Sequence, residues 1–109
     1  MTGEEFVRLC FSEKQTMLRE YCTPDSETKV GALLRELMPA GTDWEKLREL
    51  LDTVMTESWY TMLLALDGSA SLGGEQMTYE LRDEDGNLLN ECGELEAAAW
   101  DVFMEKRLN

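Results

Sequence analysis

Between Asp43 and Leu66 the chain carries a continuous helical stripe: Trp44, Leu47, Leu50, Leu51, Val54 and Met55 recur at three- and four-residue intervals, and Trp59, Met62, Leu63 and Leu66 continue it. It is the most apolar part of the chain. One long helix, or two shorter ones broken near Thr56 to Ser58, satisfies the pattern. Thr42-Asp43-Trp44-Glu45 reads as a capping box, with Thr42 as the cap and Glu45 reaching back. Asp67-Gly68 supplies the stop, the glycine taking the left-handed conformation that helix ends favour.

The flanking segments have their own periodicity. Phe6, Cys10, Met17, Leu18 and Tyr21 predict a helix over Glu4–Tyr21, with Glu4 and Arg8 as a favourable pair four residues apart. Thr23-Pro24-Asp25 ends it and offers Asp25 or Ser26 as the next cap. Val30, Leu33, Leu34 and Leu37 mark a second helix from about Glu27 to Met38, which Pro39-Ala40-Gly41 stops. Gly31 should weaken that helix by about 1 kcal/mol relative to alanine.

Beyond the central stripe the period changes. Ser69 to Gly74 is a small-residue loop. Met77, Tyr79 and Leu81 then alternate with Thr78, Glu80 and Arg82, the pattern of a half-buried strand. Asp83-Glu84-Asp85-Gly86 is a turn, and Asn87 to Asn90 can return as a second strand. A β-hairpin is therefore expected around residues 76–90. Leu95, Ala98, Ala99, Val102 and Phe103 then predict a closing helix over Glu94–Leu108. The fold class expected is α+β, in one acidic domain over residues 1–109.

Charge narrows the function. With 23 acidic and 10 basic side chains the net charge is −13, which argues against direct binding of nucleic acid or an anionic membrane. The same field attracts a basic partner and speeds its capture, although acidity also simply favours solubility. Residues 67–109 carry 11 acids and 3 bases, the denser share. Asp83, Glu84, Asp85, Glu91 and Glu94 concentrate there, and we take them as the partner-contact residues. A solvated hairpin tip is the plainer reading of the same acids.

Catalytic chemistry finds little support. The absence of histidine removes histidine-assisted nucleophiles and the commonest transition-metal ligand. Cys10, Cys22 and Cys92 fit no zinc spacing and read as reduced thiols of a cytoplasmic protein. The chain start is acidic, without the layout of a signal peptide. Asp83, Asp85, Asn87, Glu91 and Glu94 fall on the calcium-ligand positions of an EF-hand loop. Leu88, however, stands where that loop needs glycine, and a strand precedes it instead of a helix. Neither a metal, a cofactor nor a catalytic residue is therefore expected.

The segment Met62-Leu63-Leu64-Ala65-Leu66-Asp67-Gly68, then a strand, the turn Asp85-Gly86-Asn87-Leu88 and an amphipathic final helix, resembles small bacterial immunity proteins of polymorphic toxins. The resemblance covers roughly the C-terminal half. It implies a non-enzymatic inhibitor that neutralises a basic toxin, commonly a nuclease, by covering its surface, and it transfers no site residue. Two alternatives stand beside it: a DNA-mimic inhibitor of a nucleic-acid-binding protein, and a regulatory module that homodimerises through its leucine-rich stripes.

Overall fold

A computed structural model describes residues 1–37 and 43–105. Four α-helices dominate: α1 Gly3–Tyr21, α2 Lys29–Leu37, α3 Trp44–Leu66 and α4 Glu94–Ala99. A 3₁₀ turn, Glu91–Gly93, leads into α4, and α4 passes into a π-helical turn, Trp100–Glu105. The residues expected to carry the closing helix to Leu108 lie outside those described, as do Met38 and Pro39-Ala40-Gly41.

The helix starts show what local chemistry does. Thr2 caps α1 by accepting from the Glu5 amide at 3.1 Å, and Glu4 pairs with Arg8 at 2.9 Å as the spacing predicted. Helix α2 begins at Lys29, later than expected, because Thr28 accepts from the Gly31 amide at 2.9 Å while Ser26 braces Thr28 at 2.7 Å. Ser26 lies so close to Gly31 that a Cβ there would collide with its side chain. Close approach, then, is what the glycine provides. At α3 the cap is Asp43, which accepts from the Lys46 amide at 3.1 Å, one residue after the expected Thr42. Helix α3 runs unbroken through Thr56 to Ser58, and Gly68 ends it at φ +82°.

Helices α1 and α3 lie antiparallel: Lys14 meets Asp52 and Thr56, while Cys22 and Trp44 border one groove at the far end. Helix α4 and its π-helical extension pack into the opposite end of this pair. Val7, Cys10, Leu63, Leu95, Ala98, Ala99, Val102 and Phe103 form the core there. Ala98 and Ala99 let the helices approach closely, and Phe103 meets Phe11 edge to face at 5.4 Å. Burying these side chains supplies about 1.5–3 kcal/mol for each large one. The molecule is long, 49 × 30 × 27 Å, because α3 extends well past this core.

The α+β expectation is overturned. Among the described residues there is no β-strand, and the β-hairpin predicted around residues 76–90 is replaced by irregular chain. The chain does turn back at Asp83 to Asn87, but only one isolated bridge, Arg82 with Leu88, joins the two limbs. A side chain takes the place of the next backbone rungs: Asn90 accepts from the Leu81 amide at 3.0 Å and donates to the carbonyls of Tyr79 (2.7 Å) and Leu66 (2.8 Å). Met77 and Thr78 lie exposed, so the alternation there has no buried face to follow. The protein is a helical domain with a long irregular crossing between α3 and α4. No described helix is long and apolar enough to cross a membrane.

The buried faces of α1, α2 and α3 also differ from the expected ones. On α1 the buried line is Val7, Cys10, Lys14 and Leu18, so a lysine occupies a place that reads as surface. On α3, Trp44, Leu50, Val54 and Met62 are exposed, although the stripe placed them inward. On α2, only Leu34 of the predicted apolar face is fully buried, and Leu33 and Leu37 are exposed.

Candidate functional site

The acidic turn is built around Asp83. Its Oδ1 accepts from the amides of Asp85 (3.0 Å) and Asn87 (2.9 Å), and its Oδ2 accepts from the Asn87 side-chain amide at 2.9 Å. Gly86 adopts φ +85°, a conformation that a larger residue here would resist, and its carbonyl accepts from Arg82 at 3.0 Å. These donors, the Asn87 side chain foremost, hold the Asp83 carboxyl well below the usual carboxylate range. The Met1 amine completes the set at 3.2 Å. Asp83 thus shapes the turn.

Glu84 and Asp85 project from that turn into solvent, and Glu91 is exposed on the 3₁₀ turn before α4. Glu94 is half-buried, with Oε1 accepting from the Gly3 amide at 2.9 Å. Since Met1 reaches Asp83 and Gly3 reaches Glu94, the start of the chain bridges the turn and the first residue of α4. The structure therefore brings Asp83 and Glu94 to one side of the molecule but commits both to internal contacts. Glu84, Asp85 and Glu91 remain exposed and form no ion pair among the described residues.

Asp67 was expected only to stop α3, yet it does more. Its Oδ2 accepts from the Glu96 amide at 3.0 Å, so the residue that follows one helix caps the first turn of another. Its Oδ1 is buried without a hydrogen-bond partner among the described residues, and burial is the main cause that raises its carboxyl above the usual range. Glu96 and Glu94 nearby push in the same direction.

A second surface feature lies on α3. Leu47, Leu50 and Thr53, with Asp43, Lys46 and Glu49 at the rim, border an open groove of about 510 Å³. Farther along, Val54, Glu57, Thr61, Met62 and Leu72 border another of about 370 Å³. Leu50 is 58 % exposed and Val54 53 %, which is high for side chains of this kind. The sequence signal was present: a stripe containing both Leu50–Val54 and Met55–Trp59 is too wide for one buried face.

The remaining reactive groups are dispersed. Cys10 is buried, which raises its thiol above the usual range, and Cys22 and Cys92 lie on separate elements. No group of three or more Cys, Asp or Glu among the described residues is arranged to hold a metal ion. The calcium-like spacing from Asp83 to Glu94 instead separates into a self-contained turn and a helix start. What the surface offers is contact: exposed carboxylates on a fixed turn, and an apolar helix face. No protein-family model, curated protein or solved structure matches the chain.

Proposed function

We propose that the protein acts by binding a basic protein partner, as a non-enzymatic inhibitor of the immunity type, and that a toxin, commonly a nuclease, is what it covers. The observation that carries this reading is the fixed presentation of Glu84 and Asp85. Asp83 and Asn87 lock the turn beneath them, so little ordering is needed when a partner docks. Glu91 adds a carboxylate at the neighbouring turn, and the net charge of −13 guides a basic surface toward the molecule. The shape of the surface, open grooves over a packed helical core, suits occlusion better than enclosure of a small substrate.

The test compares the wild-type protein with a Glu84→Gln, Asp85→Asn, Glu91→Gln variant, each immobilised and exposed to lysate of the source cells. The wild type should retain a basic protein whose activity falls when equimolar inhibitor is added. The variant should release that protein at lower salt, with slower association. Retention by the variant to the same salt removes these carboxylates from the interface. Displacement by any duplex DNA would favour the mimic reading instead.

A further inference from the structure

Helix α3 carries large apolar side chains away from α1 as well as toward the core, and among the described residues only the side facing α1 and the core is covered. Asp52, Thr56 and Leu63 face α1 and the core. At about 100° per residue, Leu47, Leu50, Val54, Glu57 and Thr61 project on the other side. Their spacing, three then four then three then four, is the seam of a two-stranded coiled coil. Leu50 and Val54, both more than half exposed, form the centre of this row, and contiguous exposed apolar surface of this kind marks docking faces.

We propose that this seam binds a second copy of the same chain, with the two α3 helices antiparallel across a two-fold axis near residue 52. The register follows from the residues themselves. It sets Leu50 of each chain against Val54 of the other, and Leu47 against the aliphatic part of Glu57. Lys46 flanks Leu47, so the same pairing brings Lys46 of each copy beside Glu57 of the other. Among the described residues Lys46 pairs within its own chain with Glu49 alone, at 3.4 Å, and both side chains are largely exposed, so this contact is readily exchanged. No other register both buries Leu50 and Val54 together and pairs the seam's base with its acid.

Size sets the strength. The seam from Leu47 to Thr61 is about 21 Å of helix. Two such faces cover on the order of 1,000 Å² in total, near the lower limit of specific interfaces. The dimer should therefore be weak, with a Kd on the order of 10 μM. The two monomers repel, each carrying a net −13. Added salt should screen that repulsion and tighten the dimer, the reverse of its effect on a basic partner. The seam lies on α3, away in sequence from the acidic turn at Asp83 to Asn87, so loss of one surface leaves the other in place.

Sedimentation velocity over a range from about 1 μM to about 500 μM, at about 0.05 M and about 0.5 M salt, tests it. The expected result is a monomer–dimer equilibrium that shifts several-fold toward dimer at the higher salt. Leu50→Glu should abolish the dimer while leaving the helical circular dichroism and Tm unchanged, because Leu50 is exposed in the monomer. Lys46→Glu and Glu57→Lys alone should each weaken it about tenfold, and the double exchange should restore it. Monomer at every concentration overturns the proposal, as does a dimer that ignores Leu50→Glu. A dimer that the double exchange fails to rescue overturns the antiparallel register. A monomer whose seam instead binds a basic amphipathic peptide of alternating Lys and Leu turns would assign the surface to a different occupant.

Discussion

Lys14 is 2 % exposed, and its ammonium group sits 2.7 Å from Asp52 Oδ1, 3.0 Å from Thr56 Oγ1 and 4.8 Å from the centre of the Phe11 ring. A buried ammonium is tolerable only while its charge is answered. Asp52→Ala should leave the hydroxyl and the ring but remove the answering charge, and an uncompensated buried ion costs about 3–5 kcal/mol. The Asp52 side chain is 35 % exposed, so water can reach part of the site, and the low end, roughly 3 kcal/mol, is the better value. At about 4 °C per kcal/mol for a domain of this size, Tm should fall by about 12 °C. Asp52→Asn keeps an acceptor for Lys14 without the charge and should lose somewhat less, about 2 kcal/mol. Lys14→Met keeps the volume of the stem, removes the ion and lets Asp52 turn toward water. It should lie within about 1 kcal/mol of wild type, and Lys14→Met with Asp52→Ala should be more stable than Asp52→Ala alone. Urea denaturation followed by far-ultraviolet circular dichroism measures all four. If Lys14→Met destabilises as much as Asp52→Ala, the ion pair is itself a net source of stability and the reasoning is wrong.

Gly3→Ala should destabilise by about 1–3 kcal/mol, because the added methyl meets the Leu89 carbonyl and the Glu94 side chain; an unchanged melting curve would exclude that close approach. Phe103→Ala should cost about 3–5 kcal/mol, whereas Leu50→Ala should stay within about 0.5 kcal/mol, and equal effects in denaturant titration would contradict the assignment of core and surface. Asp83 titrates below its unfolded value, so the stability it supplies is complete above about pH 3.9 and fades as the pH falls toward its folded pKa. The cost of Asn87→Ala should accordingly be full at neutral pH and shrink in acid; a cost that grows in acid would reverse the sign. Asp67 runs the other way: its folded pKa is raised, so its contribution is complete below the unfolded value and lost as the pH rises through the folded one. Stability measured against Asp67→Asn should therefore favour the wild type more at acid than at neutral pH.

The three long helices are legible because each has an apolar line at helical spacing and a local stop. Both ends of α1 and α3, and the start of α2, lie within about two residues of the expected ones. What periodicity cannot supply is the partner on each side. The stripe from Trp44 to Leu66 records that α3 is apolar, but its two faces become distinguishable only once α1 is seen to cover Asp52 and Thr56 and leave Leu50 and Val54 open. Lys14 escaped for a related reason. Lysine almost always reads as surface, and the clue was its place between Cys10 and Leu18 on one helical line. The hairpin failed at Asn90. Alternation from Met77 to Arg82 describes a strand only if a second strand supplies rungs, and the returning chain reaches Asn90 and the 3₁₀ turn after one bridge. Of the acidic residues, Glu84, Asp85 and Glu91 are as exposed as their composition suggests. Asp83 and Glu94 are drawn inward by the first residues of the chain, which no local pattern reveals.

The Asn90 carboxamide ties the end of α3 at Leu66 to the Tyr79–Leu81 stretch, and this gives the crossing between α3 and α4 an energetic identity of its own. It closes a long loop back onto Leu66, with Leu89 as the buried anchor beside it. Closing such a loop is an entropic cost, offset here by the Asn90 bonds, the Met1–Asp83 pair and the packing of Leu81 and Leu89 and by no regular secondary structure, so the loop should open as one cooperative unit at a free energy below that of global unfolding. Its amide hydrogens would then exchange together, ahead of those of α1 and of α4. A partner that grips the turn at Glu84 and Asp85 would slow that exchange across the whole loop, well beyond the residues it touches, turning a contact at one tip into a measurable stiffening of the crossing.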